Sequence, residues 1–276
     1  SISTDDIESV EVVRGIPSVE YGNLTSGLVN IKKIRRAIPL TARFKADGYS
    51  KLFSLGKGVN LDQDGSSILN VDLGYMDSKI DPTDNFENYK RVTGSVRYTY
   101  RNERQDNRIW QWNSAFDYSG SFDDSKSDPD INYGNVSEYK SSYSRMALTN
   151  NWNLKMPKSW LREMEVNTSL SLQLDRLRQT QLVSPQRYGI VPLSWNEGEN
   201  VAQAVFSEYE ASYLCDGKPF TAYVKAKAVM GFDVLNTHSM LKVGANWDIA
   251  KNFGRGQVYD MSRPLSLTGW SSRPRR

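Results

Sequence analysis

The stretch Trp110-Gln111-Trp112-Asn113-Ser114-Ala115-Phe116-Asp117-Tyr118-Ser119-Gly120-Ser121-Phe122 puts its large apolar side chains on even positions and its amides, carboxylate and most hydroxyls between them. A helix would spread such a series around its axis. A strand sends successive side chains to opposite faces, so this one has an aromatic face and a polar face. The pattern recurs upstream, where Val92, Val96, Tyr98 and Tyr100 alternate with Thr93, Ser95, Arg97, Thr99 and Arg101. It recurs downstream in Val166 to Asp175, in Phe220 to Gly231 and in Leu241 to Trp247. The chain reads as all-β throughout.

Three properties separate these segments from an ordinary soluble sheet. They run well past the usual strand length of about 5 to 6 residues, whereas a tilted strand crosses a bilayer in about 9 to 11. Their polar faces carry Arg97, Arg101, Asp117, Arg145, Lys155, Lys225, Lys227, Lys242 and Asp248, which suits a wet lumen better than a packed core. Their apolar faces hold Tyr75, Tyr98, Tyr100, Trp110, Trp112, Trp152 and Trp247 near the ends, where an aromatic girdle would meet a membrane interface. Mean hydropathy is −0.59 over 276 residues, and no apolar run is long enough for a transmembrane helix. A barrel whose strands are greasy on one side averages out the same way.

The predicted strands are 40–47, 50–59, 67–78, 89–101, 108–122, 139–155, 164–177, 203–215, 219–233 and 238–250. Connections 60–66, 102–107, 156–163 and 216–218 are short, and Asp64-Gly65 and Asp216-Gly217 supply turn chemistry. Connections 79–88, 123–138 and 178–202 are long and polar. Short turns on one side and long loops on the other fit an outer-membrane barrel, with Gly48-Tyr49 and 234–237 as exceptions to the alternation.

Residues 1–38 leave this rhythm. They read Asp6-Ile7-Glu8-Ser9-Val10-Glu11-Val12-Val13-Arg14-Gly15-Ile16-Pro17-Ser18-Val19-Glu20-Tyr21-Gly22, then Ser26-Gly27-Leu28-Val29-Asn30-Ile31. Physically this is a strand ending at Gly15, a proline-set turn, a break at Gly22 and a second strand over 28–32. The stretch resembles the closing segment of the plug domain of TonB-dependent outer-membrane receptors, over roughly 30 residues and in order as well as composition. It departs from that pattern in two places: the proline falls one position late, and Glu20 stands where an apolar residue is common.

The resemblance implies a plug end over 1–38 and the first part of a transmembrane barrel over 39–276, with residues 251–276 a tail of uncertain course. It implies about ten of roughly 22 strands, hence an incomplete receptor. Arg14 matches a plug arginine that pairs with carboxylates of the barrel wall, and Glu11 its acidic companion. Gly15, Pro17, Tyr21, Gly22 and Gly27 match turn and close-approach positions. The implied activity is energised uptake across the outer membrane of a scarce ligand, a ferric siderophore, a cobalamin-like cofactor or an oligosaccharide. TonB would be engaged through a segment outside this sequence, and the barrel would be bathed in outer-membrane lipid. No enzymatic step and no cofactor are implied. Tyr188 and Trp195, in the longest loop, are candidate ligand contacts.

Other chemistry is sparse. One cysteine, Cys215, permits no intrachain disulfide, and its position suggests burial on an apolar face. The single histidine, His238, removes most triads and histidine-based metal sites and reads as a strand-end residue. Asp62, Asp64 and Gly65 lack the remaining positions of a calcium loop and read as a turn. Asp81, Asp84 and Glu87 read as solvated loop acids. A net charge of +3 leaves no nucleic-acid footprint. Two other classes stay open: a passive porin or adhesin barrel, which would lack the plug-like segment, and a soluble carbohydrate-binding β-sandwich.

Overall fold

The computed structural model describes residues 7–13, 28–79, 81–104, 106–128, 130, 135–157, 159–184, 189–194, 198–199, 201–205, 207–234 and 237–265. Their regular elements are β-strands, paired antiparallel. β1 (Ile7–Val13) and β2 (Leu28–Lys33) form a two-stranded sheet of their own. The large sheet follows with β3 (Ile38–Ala46), β4 (Ser50–Asn60), β5 (Ser67–Ser78), β6 (Glu87–Glu103), β7 (Ile109–Ser125), β8 (Ser137–Lys155) and β9 (Leu161–Val183), each paired with the next. β10 (Gly189–Pro192) and β11 (Ala202–Val205) pair as a hairpin within the connection that leaves β9. β12 (Tyr209–Gly217), β13 (Pro219–Val234), β14 (Thr237–Asn252) and β15 (Gly256–Tyr259) complete the chain.

The structure corrects the sequence reading at Asp216-Gly217. Those residues do not turn the chain. β12 pairs with the second half of β9, up to Gly217 opposite Asp175, and β13 pairs with the first half, from Phe220 opposite Leu172. β12 and β13 are therefore one long strand. The nick at Lys218-Pro219 arises because Pro219 has no N–H to give to a ladder. The neighbouring strand is nicked at the same level: β14 ends at Asn252 and β15 resumes opposite β12. The side chain of Asn252 bridges the gap, with its Oδ1 accepting from Lys218 N (2.8 Å) and Gly254 N (2.9 Å). A Cβ on Gly254 would lie 2.8 Å from both Gly217 Cα and Lys218 N, so the crossing needs glycine.

Two further readings change with it. Cys215 stands opposite Leu177, which stands opposite Ser141. That is the face of Asp175 and Gln179, so Cys215 is not on the apolar face. Residues 251–252 and 256–259, read as tail, are strand. With 209–234 as a single strand, the connection at 235–236 joins the short side beside 61–66, 104–108 and 156–160. The long side holds 79–86, 126–136 and 184–208, and the tight turn at 47–49 is its one short member.

Registers fix what each face carries. One row runs Lys57, Val71, Val96, Phe116, Leu148, Leu170, Ala222, Ile249. The row one residue along runs Gly56, Asp72, Ser95, Asp117, Ala147, Ser171, Thr221. The apolar face spans Phe53 to Val59 on β4, Leu69 to Tyr75 on β5, Val92 to Tyr100 on β6 and Trp110 to Phe122 on β7. It continues over Ser144 to Leu154 on β8, Met164 to Leu174 on β9, Phe220 to Phe232 on β13 and Leu241 to Ile249 on β14. Within that band the only charged side chain is Lys57. Phe53, Leu73, Val96, Phe116, Leu148, Leu170 and Val243 are all exposed on it. Tyr98 and Trp112 meet edge to face, with ring centroids 5.2 Å apart, near the short-turn end of the band.

Candidate functional site on the polar face

The polar face is not bare. Residues 33–36, from the last residue of β2 towards β3, cross it, and four polar contacts hold them. Lys33 Nζ lies 2.8 Å from Asp117 Oδ1 on β7. Arg35 Nη1 donates to Thr99 Oγ1 on β6 (3.3 Å) and to Asn113 Oδ1 on β7 (3.0 Å). The carbonyl of Arg36 accepts from Asn70 Nδ2 on β5 at 2.8 Å. Burial and the nearby Arg97 both lower the pKa of Arg35, and Asp117 raises it. A guanidinium keeps its charge regardless, so these contacts are charge-assisted.

The seat is built from small residues. Gly56 and Gly58 lie on the polar face of β4, and a Cβ on Gly56 would stand 2.7 Å from Asp72 Oδ1. A Cβ on Gly58 would meet Asn70 Nδ2 and lie 2.6 Å from the Arg36 carbonyl and 2.9 Å from Ile38 N. Gly58 is what lets the backbone of residues 36–38 approach the wall. Beneath lies the most buried ion pair described: Arg97, 1% exposed, with Nη2 2.5 Å from Asp72 Oδ2 and Nη1 donating to Ser95 Oγ at 3.1 Å. Asn70, 0% exposed, completes this floor.

From the seat an amide network runs across three more strands. Asn113 Nδ2 donates to Asn151 Oδ1 on β8 (3.4 Å), and Asn151 Nδ2 reaches Asn167 Oδ1 (2.5 Å) and Glu165 Oε1 (3.2 Å) on β9. Asn167 Nδ2 also donates to Glu165 Oε1 at 2.8 Å, and Lys227 Nζ on β13 lies 2.7 Å from Glu165 Oε2. Polar groups in alternate positions of adjacent strands stand within reach of each other, so the alternation read in the sequence becomes a laterally bonded surface. This surface can hold a segment by charge-assisted bonds. No group of three or more metal-ligating side chains occurs among the described residues.

Of the residues singled out from the sequence, Glu11 is described. It lies on β1, exposed, with Oε2 3.5 Å from Asn30 Nδ2 and 3.6 Å from Lys32 Nζ on β2. It therefore pairs within its own hairpin. Arg14, Gly15, Pro17, Tyr21, Gly22, Gly27, Tyr188 and Trp195 lie outside the described residues. His238 is the second residue of β14, opposite Asp233. Asp62 closes a turn, accepting from Ser66 Oγ at 2.5 Å. Asp81 and Asp84 do more than meet solvent, since they accept from Thr83 N (2.8 Å) and Phe86 N (2.6 Å). The sequence reading missed Lys33, Arg35, Gly58 and Asn70. Its available signal was Lys32-Lys33-Ile34-Arg35-Arg36, four cations immediately before the first long strand.

By its fold the chain is an all-β protein built on an extended antiparallel sheet. No family model and no curated protein matches it. Among solved structures it is similar to the siderophore receptor PiuA from Acinetobacter baumannii, at 12% identity and a TM-score of 0.31, over 90% of this chain and 51% of that one. The chain thus spans about half the length of that receptor. A likeness of that quality carries no weight for function, which rests on the geometry above.

Proposed function

We propose that this chain is the wall of an outer-membrane barrel together with the end of a plug, and that it belongs to a receptor of the TonB-dependent kind. The observation that carries the reading is the contrast between the two faces of one sheet. From β6 to β14 the apolar band is at least as tall as the roughly 9 to 11 tilted residues that cross a bilayer, it is shorter on β4 and β5, and Lys57 is its one charged residue. The opposite face is bonded side chain to side chain and already holds a chain segment. An apolar face against lipid and a polar one around a lumen is the arrangement a membrane barrel requires.

In this reading residues 1–38 close the plug and 33–36 are its fixed strap. Lys33 and Arg35 anchor the last plug strand to the wall, so a rearrangement upstream leaves that end in place. The transported ligand is a scarce small molecule or oligosaccharide, admitted from the long-loop side. The plug-like segment of residues 6–31 favours this over a passive porin. The test is behaviour in detergent. The protein should require detergent to stay dispersed and should run faster on a gel before boiling than after. A monomer that stays in buffer without detergent would leave the soluble β-sandwich as the surviving reading.

A further inference from the structure

Past the apolar band, towards the long connections, the alternation of the strands reverses. The outward face of β9 is apolar up to Leu174, but its next positions are Arg176 and Arg178, with Lys140 of β8 opposite Arg178. The inward face turns aromatic over the same rows. β8 places Tyr139 and Tyr143 there, β9 Gln179, β12 Tyr213, and β15 Gln257 and Tyr259. Tyr139, Gln179, Tyr213 and Tyr259 form one row across the four strands. The rings of Tyr213 and Tyr259 lie 6.4 Å apart, tilted by 40°. From Asp175 outward, Asp175 is the one charged side chain on the inner face of these strands among the described residues, and Gln173 Nε2 donates to its Oδ2 at 2.6 Å. At the borders stand Asp123 on β7, opposite Ser141, and Arg145 on β8, whose Nε donates to Ser171 Oγ at 3.1 Å. The inner face closer to the short turns is charged instead, with the pairs Arg97–Asp72, Lys33–Asp117 and Lys227–Glu165.

A row of tyrosines and glutamines offers ring faces separated by hydroxyls and amides. The rings take apolar C–H surfaces, and the amides both donate and accept. An anionic ligand seated here would lose its water and gain no counter-charge, a penalty that a neutral ligand does not meet. We infer that this patch binds a neutral oligosaccharide, whose rings have C–H faces and a rim of hydroxyls. The inference narrows the ligand of the proposed function, and its placement in a lumen rests on the barrel reading. From Tyr139 to Tyr259 the row crosses three strand spacings, about 14 Å, which accommodates more than one linked ring. Further out the chain covers itself, with Tyr209 Oη donating to Pro264 O at 2.7 Å and Ala211 fully buried. In the row itself Tyr139 is 37% exposed.

The full chain, folded in a polyoxyethylene detergent that carries no sugar, is applied to an array of neutral oligosaccharides of several linkages printed beside their sulfated forms. The best-retained neutral glycan is then titrated while intrinsic fluorescence is followed. Neutral glycans should be retained about tenfold or more above their sulfated forms, with little dependence on salt. Y213A together with Y259A should weaken binding about tenfold or more, whereas Y213F with Y259F, which keeps both ring faces, should stay within about threefold. R178Q, on the other face of β9, should leave binding unchanged. If the double alanine variant fails to fold, Y139A at the exposed end of the row decides. Preference for the sulfated forms, or for a trianionic ferric tris-catecholate in the same titration, overturns the ligand class. A folded double alanine variant that binds as tightly as the unaltered protein overturns the site. So does a protein that needs detergent and retains no neutral glycan, which assigns the patch to the chain's own long connections and leaves the barrel reading standing. Glycan binding by a protein that stays dispersed without detergent keeps the site and refutes the barrel reading instead.

Discussion

Gly58 carries more of the strap than any side chain, because it is the absence of one that admits the backbone of residues 36–38. Replacing it with alanine forces a Cβ against the Arg36 carbonyl and Ile38 N, and neither can move without lifting the strap. The expected cost is about 1–3 kcal/mol, as for overpacking elsewhere, read as a lower unfolding midpoint in detergent. Gly48→Ala is the control, since a Cβ there has nothing within 4 Å. Arg97 is the second sensitive residue. Arg97→Met strands the Asp72 carboxylate and should cost about 3 kcal/mol, the lower end for a broken buried pair because Asp72 keeps some solvent. Adding Asp72→Leu should recover more than half of that loss, and failure to recover it would mean the pair is net stabilising by itself.

At the scale of elements, the long strands rest on local devices at their nicks and turns. Asn252 accepts from two N–H groups where the ladder is broken by Pro219, so Asn252→Ala should cost about 1 kcal/mol. It should also speed hydrogen exchange at Lys218 and Gly254. The turn at 61–66 should be acid-labile. The Ser66 hydroxyl, with help from the Ser67 and Ser66 amides, holds the Asp62 carboxyl below the usual carboxylate range. A depressed folded value means the contribution is present above the unfolded pKa of about 3.9 and is lost as pH falls through the folded one. Exchange at Leu61 N, bonded to Ser67 O at 2.8 Å, should therefore be unchanged at neutral pH and faster only in strong acid.

Strand identity and face were legible in the sequence because period two survives any register. Phe116, Leu148 and Leu170 fall on one face as their alternation predicts, and Arg97, Asp117 and Lys227 on the other. What misled was local turn chemistry at Asp216-Gly217, which a proline-nicked continuous strand imitates. Reading a hairpin there put Cys215 on the wrong face and made 234–237 an anomaly. The strap was not legible because its grip depends on which strands lie beneath it. Lys33 meets Asp117 across 84 positions of sequence, a separation that no periodicity announces.

For the whole molecule the claim is that one face of the sheet meets lipid and the other water. With Cys215→Ser as background, single cysteines carrying a nitroxide at successive positions 114–118 and 170–174 report both environments by collision with oxygen, which favours lipid, and with a neutral nickel chelate, which favours water. In reconstituted protein the account predicts alternation. Positions 114, 116, 118, 170, 172 and 174 should be oxygen-accessible and chelate-poor, and 115, 117, 171 and 173 the reverse. Equal chelate access at even and odd positions would contradict it and leave an ordinary soluble sheet.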